Sequence, residues 1–293
     1  LTEEEGGHED TRDDTSAMSA LKGMISFFTI WHMDITQREM DSMETRFHLV
    51  PVVGLLLGAA VLVVLAIFGY IGLETGFGSS FFYAVLALAT VYIGSKFLHF
   101  DGLTDFGDGM IVSGQREDHV RALKDTLVGA GGIGVALIVV LLSVSVYSTV
   151  GLASLIVLAP VAEIMVKNAQ VVGAAFGEPG NGMAGRQVAM TTRDSIVKGV
   201  IVSAVAGFVM YFISMWVLDL VFGIRIVGFT DFIVTAFAVL LSGIVGSMLV
   251  GYAMARTANK NFGMVNGDIL GATNEIARPV VMFLMFIAMT LVI

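Results

Sequence analysis

The chain has 293 residues, of which 56% are hydrophobic and only 14% charged, and its mean hydropathy is +0.86. Soluble domains carry about 25% charged residues, so this composition excludes a water-solvated fold and points to lipid as the solvent. The absence of cysteine excludes disulfides, cysteine-ligated zinc and thiol catalysis, and the net charge of −9 offers no basic surface for nucleic acid.

Residues 1–17 hold Glu3, Glu4, Glu5, Glu9, Asp10, Asp13 and Asp14 against the single base Arg12, which accounts for six of the nine net negative charges. This polar segment lacks apolar periodicity and reads as a disordered acidic tail, ahead of a single transmembrane catalytic domain over 18–293. No cleavable signal segment is expected there, and Met18 is a candidate start. Residues 19–31 are apolar but too short to span, so they read as an interfacial or re-entrant helix with Trp31 at headgroup level.

Crossing a bilayer takes roughly 20 predominantly apolar residues. Seven stretches qualify, at about 50–73, 80–98, 129–149, 151–175, 197–222, 230–254 and 269–293. They are too long for strands and lack barrel alternation, so the fold class is all-α: a polytopic transmembrane helical bundle of about seven spans. A break at Arg278-Pro279 would change that to six or eight. With the N-terminus inside and the C-terminus outside, Lys and Arg gather in the inner loops, while the outer loops contribute only Arg225. The polar chemistry gathers in the same inner loops, so the site is expected at the cell membrane's cytoplasmic face.

The second span is followed by Asp101-Gly-Leu-Thr-Asp105-Phe-Gly-Asp108-Gly. Spacings of four and three put the aspartates within a ~60° arc of one helix face. Carboxylates roughly 6 Å apart repel by about 3 kcal/mol at an effective dielectric near 20, so such a cluster is expected to raise its pKa values or recruit a cation. All-oxygen ligands suit Mg²⁺, with Mn²⁺ as the alternative, rather than zinc. Gly102, Gly107 and Gly109 remove bulk where a phosphate or a neighbouring backbone comes close, and Lys96 and His99 are placed to meet an anionic substrate. A second acidic patch, Asn266-Gly-Asp268-Ile-Leu-Gly271-Ala-Thr-Asn274-Glu275, puts Asp268 and Glu275 on one helix face. It would complete a metal and phosphate site if it faces the first. A solvated helix cap and an ordinary turn are the bland readings of the two segments.

Together these segments resemble the cobalamin synthase family, adenosylcobinamide-GDP ribazoletransferase. Its motif H-x-D-G-x-x-D-x-x-D-G reads here as His99-Phe-Asp101-Gly102-Leu-Thr-Asp105-Phe-Gly-Asp108-Gly109, and its T-G-D-x-L-G-A as Asn266-Gly-Asp268-Ile-Leu-Gly271-Ala272, with Asn for Thr. Pro51-Val-Val-Gly54-Leu-Leu-Leu-Gly58 opens the first span as in that family. Lys124-Asp125, followed by Gly129 and Gly131-Gly132, resembles its K-D-S-R-x-G-x-x-G-G, with Thr126-Leu127 in place of Ser-Arg. The likeness runs from about Met18 to the C-terminus.

The resemblance implies joining of adenosylcobinamide-GDP to α-ribazole or its 5′-phosphate, with release of GMP. Asp101, Asp105, Asp108 and Asp268 would hold Mg²⁺, and Asp105 or Asp108 would accept the hydroxyl proton. Lys96, Lys124, Lys167, Arg193 and Arg278 are candidate countercharges, with His99, Gly102, Gly109, Asp125, Asn266 and Glu275 lining the phosphate site. Membrane lipid surrounds such a bundle, and a homo-oligomer stays open. The Asp101-Gly102 pair is also similar to the CDP-alcohol phosphotransferases, the alternative enzyme reading. A small-solute transporter is the alternative of another class, disfavoured because the acids gather at one membrane face rather than mid-span.

Overall fold

The computed structural model describes residues 16–224 and 228–292. Nearly all of the acidic tail, together with Arg225, lies outside the described residues. Within them the fold is twelve α-helices, joined by turns and one isolated bridge between Pro179 and Val265.

The chain opens with a pair of short helices. Helix α1 (Ala17–Phe28) starts where the Ser16 hydroxyl accepts the Ser19 amide at 3.0 Å, and its 12 residues are too few to cross a bilayer. Helix α2 (Gln37–Thr45) opens on a capping box in which the Thr36 amide donates to Glu39 at 2.8 Å. A 3₁₀ turn at Phe47–Leu49 leads into α3 (Pro51–Thr75), which begins with Pro51 and ends at the left-handed Gly76, φ 72°.

Residues 80–98 read as one span in the sequence, but α4 (Ser80–Gly94) stops early and the chain turns by 94° into α5 (Leu98–Ile111). Lys96 and Phe97 make that knee with φ of 55° and 56°, a left-handed conformation costing roughly 1–2 kcal/mol per L-residue. Two contacts to the α1 region hold it: the Ile30 amide donates to the Gly94 carbonyl at 2.9 Å, and Lys96 Nζ donates to the Ser26 carbonyl at 3.2 Å.

Helices α6 (Arg116–Leu123), α7 (Ala130–Thr149), α8 (Gly151–Phe176), α9 (Gly182–Met190), α10 (Arg193–Phe222), α11 (Phe229–Asn261) and α12 (Gly267–Val292) complete the chain. Six helices are long and apolar enough to cross, or seven spans if the bent α4–α5 pair counts as one, as the seven apolar stretches anticipated. Helix α12 runs unbroken through Pro279, so the break considered at Arg278-Pro279 does not occur.

Helix α8 is the axis of the bundle. Its most apolar 18-residue window is 100% buried, against 22% for α7 at the periphery. Helices α3, α10, α11 and α12 pack around it. On α3, Gly54 and Gly58 lie one turn apart, and a Cβ on either would strike the α8 backbone at Glu163 or Pro160. Small residues at that spacing let two membrane helices approach backbone to backbone. The outer faces present Leu137, Leu141, Phe212, Trp216, Phe237 and Leu249, side chains that lipid tails solvate. This is the architecture of a multi-pass helical membrane protein.

Candidate active site

The site is built where α5 meets the start of α12. A Cβ added at Gly102 would lie 2.6 Å from the Asp268 carbonyl oxygen and 2.8 Å from its Cα, so the two helices touch backbone to backbone there. That contact brings the two acidic segments together. Asp105 lies within electrostatic range of Asp268, Asp101 and Asp108, and Asp268 within range of Asp101 and Lys124. Asp101 is exposed, while Asp105 and Asp268 are half-buried. Asn266 fixes the start of α12: its Oδ1 accepts the Ile269 amide at 3.1 Å and its Nδ2 donates to Asp268 Oδ2 at 2.7 Å.

Asp108 shares their face but has another task. Its two carboxylate oxygens accept the Gly129 amide at 2.6 Å and the Gly132 amide at 2.8 Å. The carboxylate therefore sits on the N-terminus of α7, where free amides and the helix dipole favour an anion. Asp125, in the loop before α7, accepts the Leu127 amide at 3.0 Å. Gly109 leaves room for the Phe262 ring.

Four further residues singled out in the sequence stand in the core. Lys167 on α8 is fully buried, 3.1 Å from His99 Nε2 and donating to Asn274 Oδ1 at 2.8 Å. Arg278 on α12 is fully buried, donating to Glu275 at 3.0 Å and pairing with Glu163 of α8, with the Tyr92 ring 5.8 Å away. Asn274 Nδ2 donates to Glu275 Oε1 at 3.0 Å. Lys167 and Arg278 thus balance Glu163 and Glu275 within a network joining α5, α8 and α12, and Lys96 is held at the knee. Glu163, Asn274 and Gln170 were not singled out. Glu163 does carry a legible signal, since an acid inside an apolar span one turn before Lys167 is rare unless paired.

Among the described residues no three His, Cys, Asp or Glu side chains form a closed metal cage. The donor set at the α5–α12 contact is nonetheless all-oxygen and anionic, and it opens to solvent at Asp101. Mg²⁺ is usually held by one or two carboxylates together with substrate phosphates and water, and an open pair of this kind fits it.

Residues 20–287 match the family model described as cobalamin-5-phosphate synthase. The chain is 32% identical to an adenosylcobinamide-GDP ribazoletransferase of Methanococcoides burtonii over 93% of each chain. It is 31% identical to one from Methanocella arvoryzae over 89% of this chain and 92% of that one. A bacterial relative of the same name, from Chlorobaculum parvum, is 27% identical over 90% of this chain and 94% of its own. No solved structure matches the chain. Motif, helix order and juxtaposed acids all lie inside the matched region, and this chain belongs to the cobalamin-5-phosphate synthase family.

Proposed function

We propose that the chain is an adenosylcobinamide-GDP ribazoletransferase, joining adenosylcobinamide-GDP to α-ribazole or its 5′-phosphate and releasing GMP. Family membership supports this over both the CDP-alcohol and the transport readings. The structural observation that carries the site assignment is the backbone contact at Gly102 and Asp268, which turns two distant motifs into one acidic centre.

In the reaction a ribose hydroxyl oxygen bonds to the phosphorus on the cobinamide side, the bridging P–O bond breaks, and GMP leaves with the electron pair. Such transfers depend on alignment and charge neutralisation. Mg²⁺, with Mn²⁺ as the alternative, would be held by Asp101 and Asp268 and would supply neutralisation of the diphosphate. Asp105, within electrostatic range of both and half-buried, takes the hydroxyl proton. Asp108 is engaged by the α7 amides, which leaves Asp105 as the base. Lys124, exposed and near Asp268, meets the phosphates. The site faces the cytoplasm in this reading, supported by the bases Arg46, Lys96, Arg116, Arg121 and Lys124 in the loops at this end.

The test is GMP release from adenosylcobinamide-GDP and α-ribazole 5′-phosphate by the purified chain with Mg²⁺. Asp101→Asn, Asp105→Asn and Asp268→Asn should each remove nearly all turnover while the protein still inserts. Near-normal release from all three would overturn the site.

A further inference from the structure

A cavity of about 200 Å³ lies beside the acidic centre, under a roof made by α1, α2 and α9. Asp101 and Asp268 stand on its lining, and Phe28, Phe47 and Met183 supply apolar walls. Three of its lining side chains are almost wholly buried yet have an unpartnered polar atom: Gln170 Oε1, Gln187 Nε2 and His99 Nδ1, at 1%, 5% and 2% exposure. Buried polar atoms without partners are rare and ask for one.

For Gln170 and His99 the chemistry is fixed by their other contacts. Gln170 Nε2 donates to the Leu270 carbonyl at 3.1 Å, so its oxygen is the free acceptor. The Lys167 ammonium faces His99 Nε2 at 3.1 Å, which makes Nε2 the acceptor and puts the ring proton on Nδ1. With the unpartnered Gln187 Nε2, the cavity presents two donors and one acceptor between apolar walls, with the Phe28 ring stacked at 11° to that of His99, 5.9 Å apart.

The volume decides the size of the occupant. It equals about seven water volumes at ~30 Å³ each, room for one bicyclic base and far too little for a corrin ring. Hydrogen bonding decides its kind. A glycosylated benzimidazole has a single ring-nitrogen acceptor and no donor, which would leave Gln170 unsatisfied. Guanine has O6 and N7 as acceptors and N1–H and the 2-amino group as donors, so it satisfies all three. The neighbouring Asp101 and Asp268 place the cavity where a base attached to the reacting diphosphate belongs. We propose that this cavity binds the guanine of the nucleotide donor, with Gln170, Gln187 and His99 reading its edge. The inference rests on the ribazoletransferase reading and adds to it the residues that select the donor.

The experiment uses the full chain in liposomes, with adenosylcobinamide-GDP and its inosine and adenosine counterparts as donors. Wild type should favour the guanosine donor over the adenosine one by tenfold or more in kcat/KM, with the inosine donor between them. Gln170→Leu and Gln187→Leu should each raise the guanosine donor's KM by about tenfold, narrow that ratio, and leave the ribazole acceptor's KM unchanged. Equal use of all three donors by wild type would overturn the assignment. So would variants that move only the acceptor's KM, which would put the acceptor's base in the cavity. If neither variant folds, wild type decides through inhibition by GMP against AMP, with equal inhibition overturning it. If wild type transfers nothing, the transferase reading falls by itself. Equilibrium dialysis of GMP against AMP then still decides the cavity, and equal or absent binding overturns it.

Discussion

Asp105 and Asp108 are three residues apart on one helix face, yet their oxygens meet different partners. Asp105→Asn removes only the proposed base, and loss of a general base typically costs 10²–10⁴ in rate. Its kcat should fall within that range while thermal unfolding in detergent stays unchanged. Asp108→Asn exchanges a charge-assisted cap for a neutral one, worth about 1 kcal/mol, so its main signature should be a lower melting temperature. A reversed pattern, with Asp108→Asn stable and inert, would exchange the two roles. The spacing of the aspartates was legible in the sequence, but the division of labour was not. Helical periodicity gives a face, whereas the partners of Asp108 lie 21 and 24 residues further along, where no local pattern reaches. The same limit applies to Lys167 and Arg278. A basic residue beside an acidic motif reads as a phosphate contact, and only the packed bundle shows each with a buried partner. Removing one member of a buried ion pair costs about 3–5 kcal/mol because the other charge is stranded. Arg278→Met should therefore lower the unfolding midpoint sharply, and a variant as stable as wild type would show that Glu163 and Glu275 are neutralised by something else.

At the scale of elements, the contact between α5 and α12 is the most sensitive point. Gly102→Ala would drive a methyl group against the Asp268 backbone, and overpacking of this kind costs about 1–3 kcal/mol. The helices should separate enough to lower kcat by at least tenfold with little change in helix content by circular dichroism. Unaltered kcat would show that the acids do not need this spacing. The spans themselves were legible in number and approximate place, although α10 begins four residues before the expected 197 and α11 runs seven past the expected 254, because hydropathy over a long window is insensitive to detail. The knee after α4 was not. It depends on left-handed Lys96 and Phe97, neither a residue that favours such a turn, and on contacts to α1 some 70 positions earlier. Both motifs were thus readable as helices, while the angle between them was set by tertiary structure.

At the scale of the whole molecule, orientation is open to direct measurement because the chain has no cysteine of its own. Thr75 and Thr126 are exposed at opposite ends of the bundle. In intact cells a membrane-impermeant maleimide should label Thr75→Cys and leave Thr126→Cys untouched until the membrane is opened. The opposite result would turn the site away from the cytoplasm.

The burial of α8 bears on how a cell makes this protein. Helix α8 has the lowest hydropathy of the six long spans, 1.6 against 2.9 for α3, and it carries Glu163 and Lys167. A Lys or Arg at the centre of an inserting helix costs about 2.5–3.5 kcal/mol at the translocon. The partners that compensate, Asn274 and Arg278, are synthesised 107 and 115 residues later, on α12. Until then α8 is a poor guest of the bilayer and has to be sheltered by earlier spans or by the insertion machinery. A nascent chain ending before α12 should consequently fail to keep α8 in the membrane, which ties commitment of the fold to the synthesis of α12.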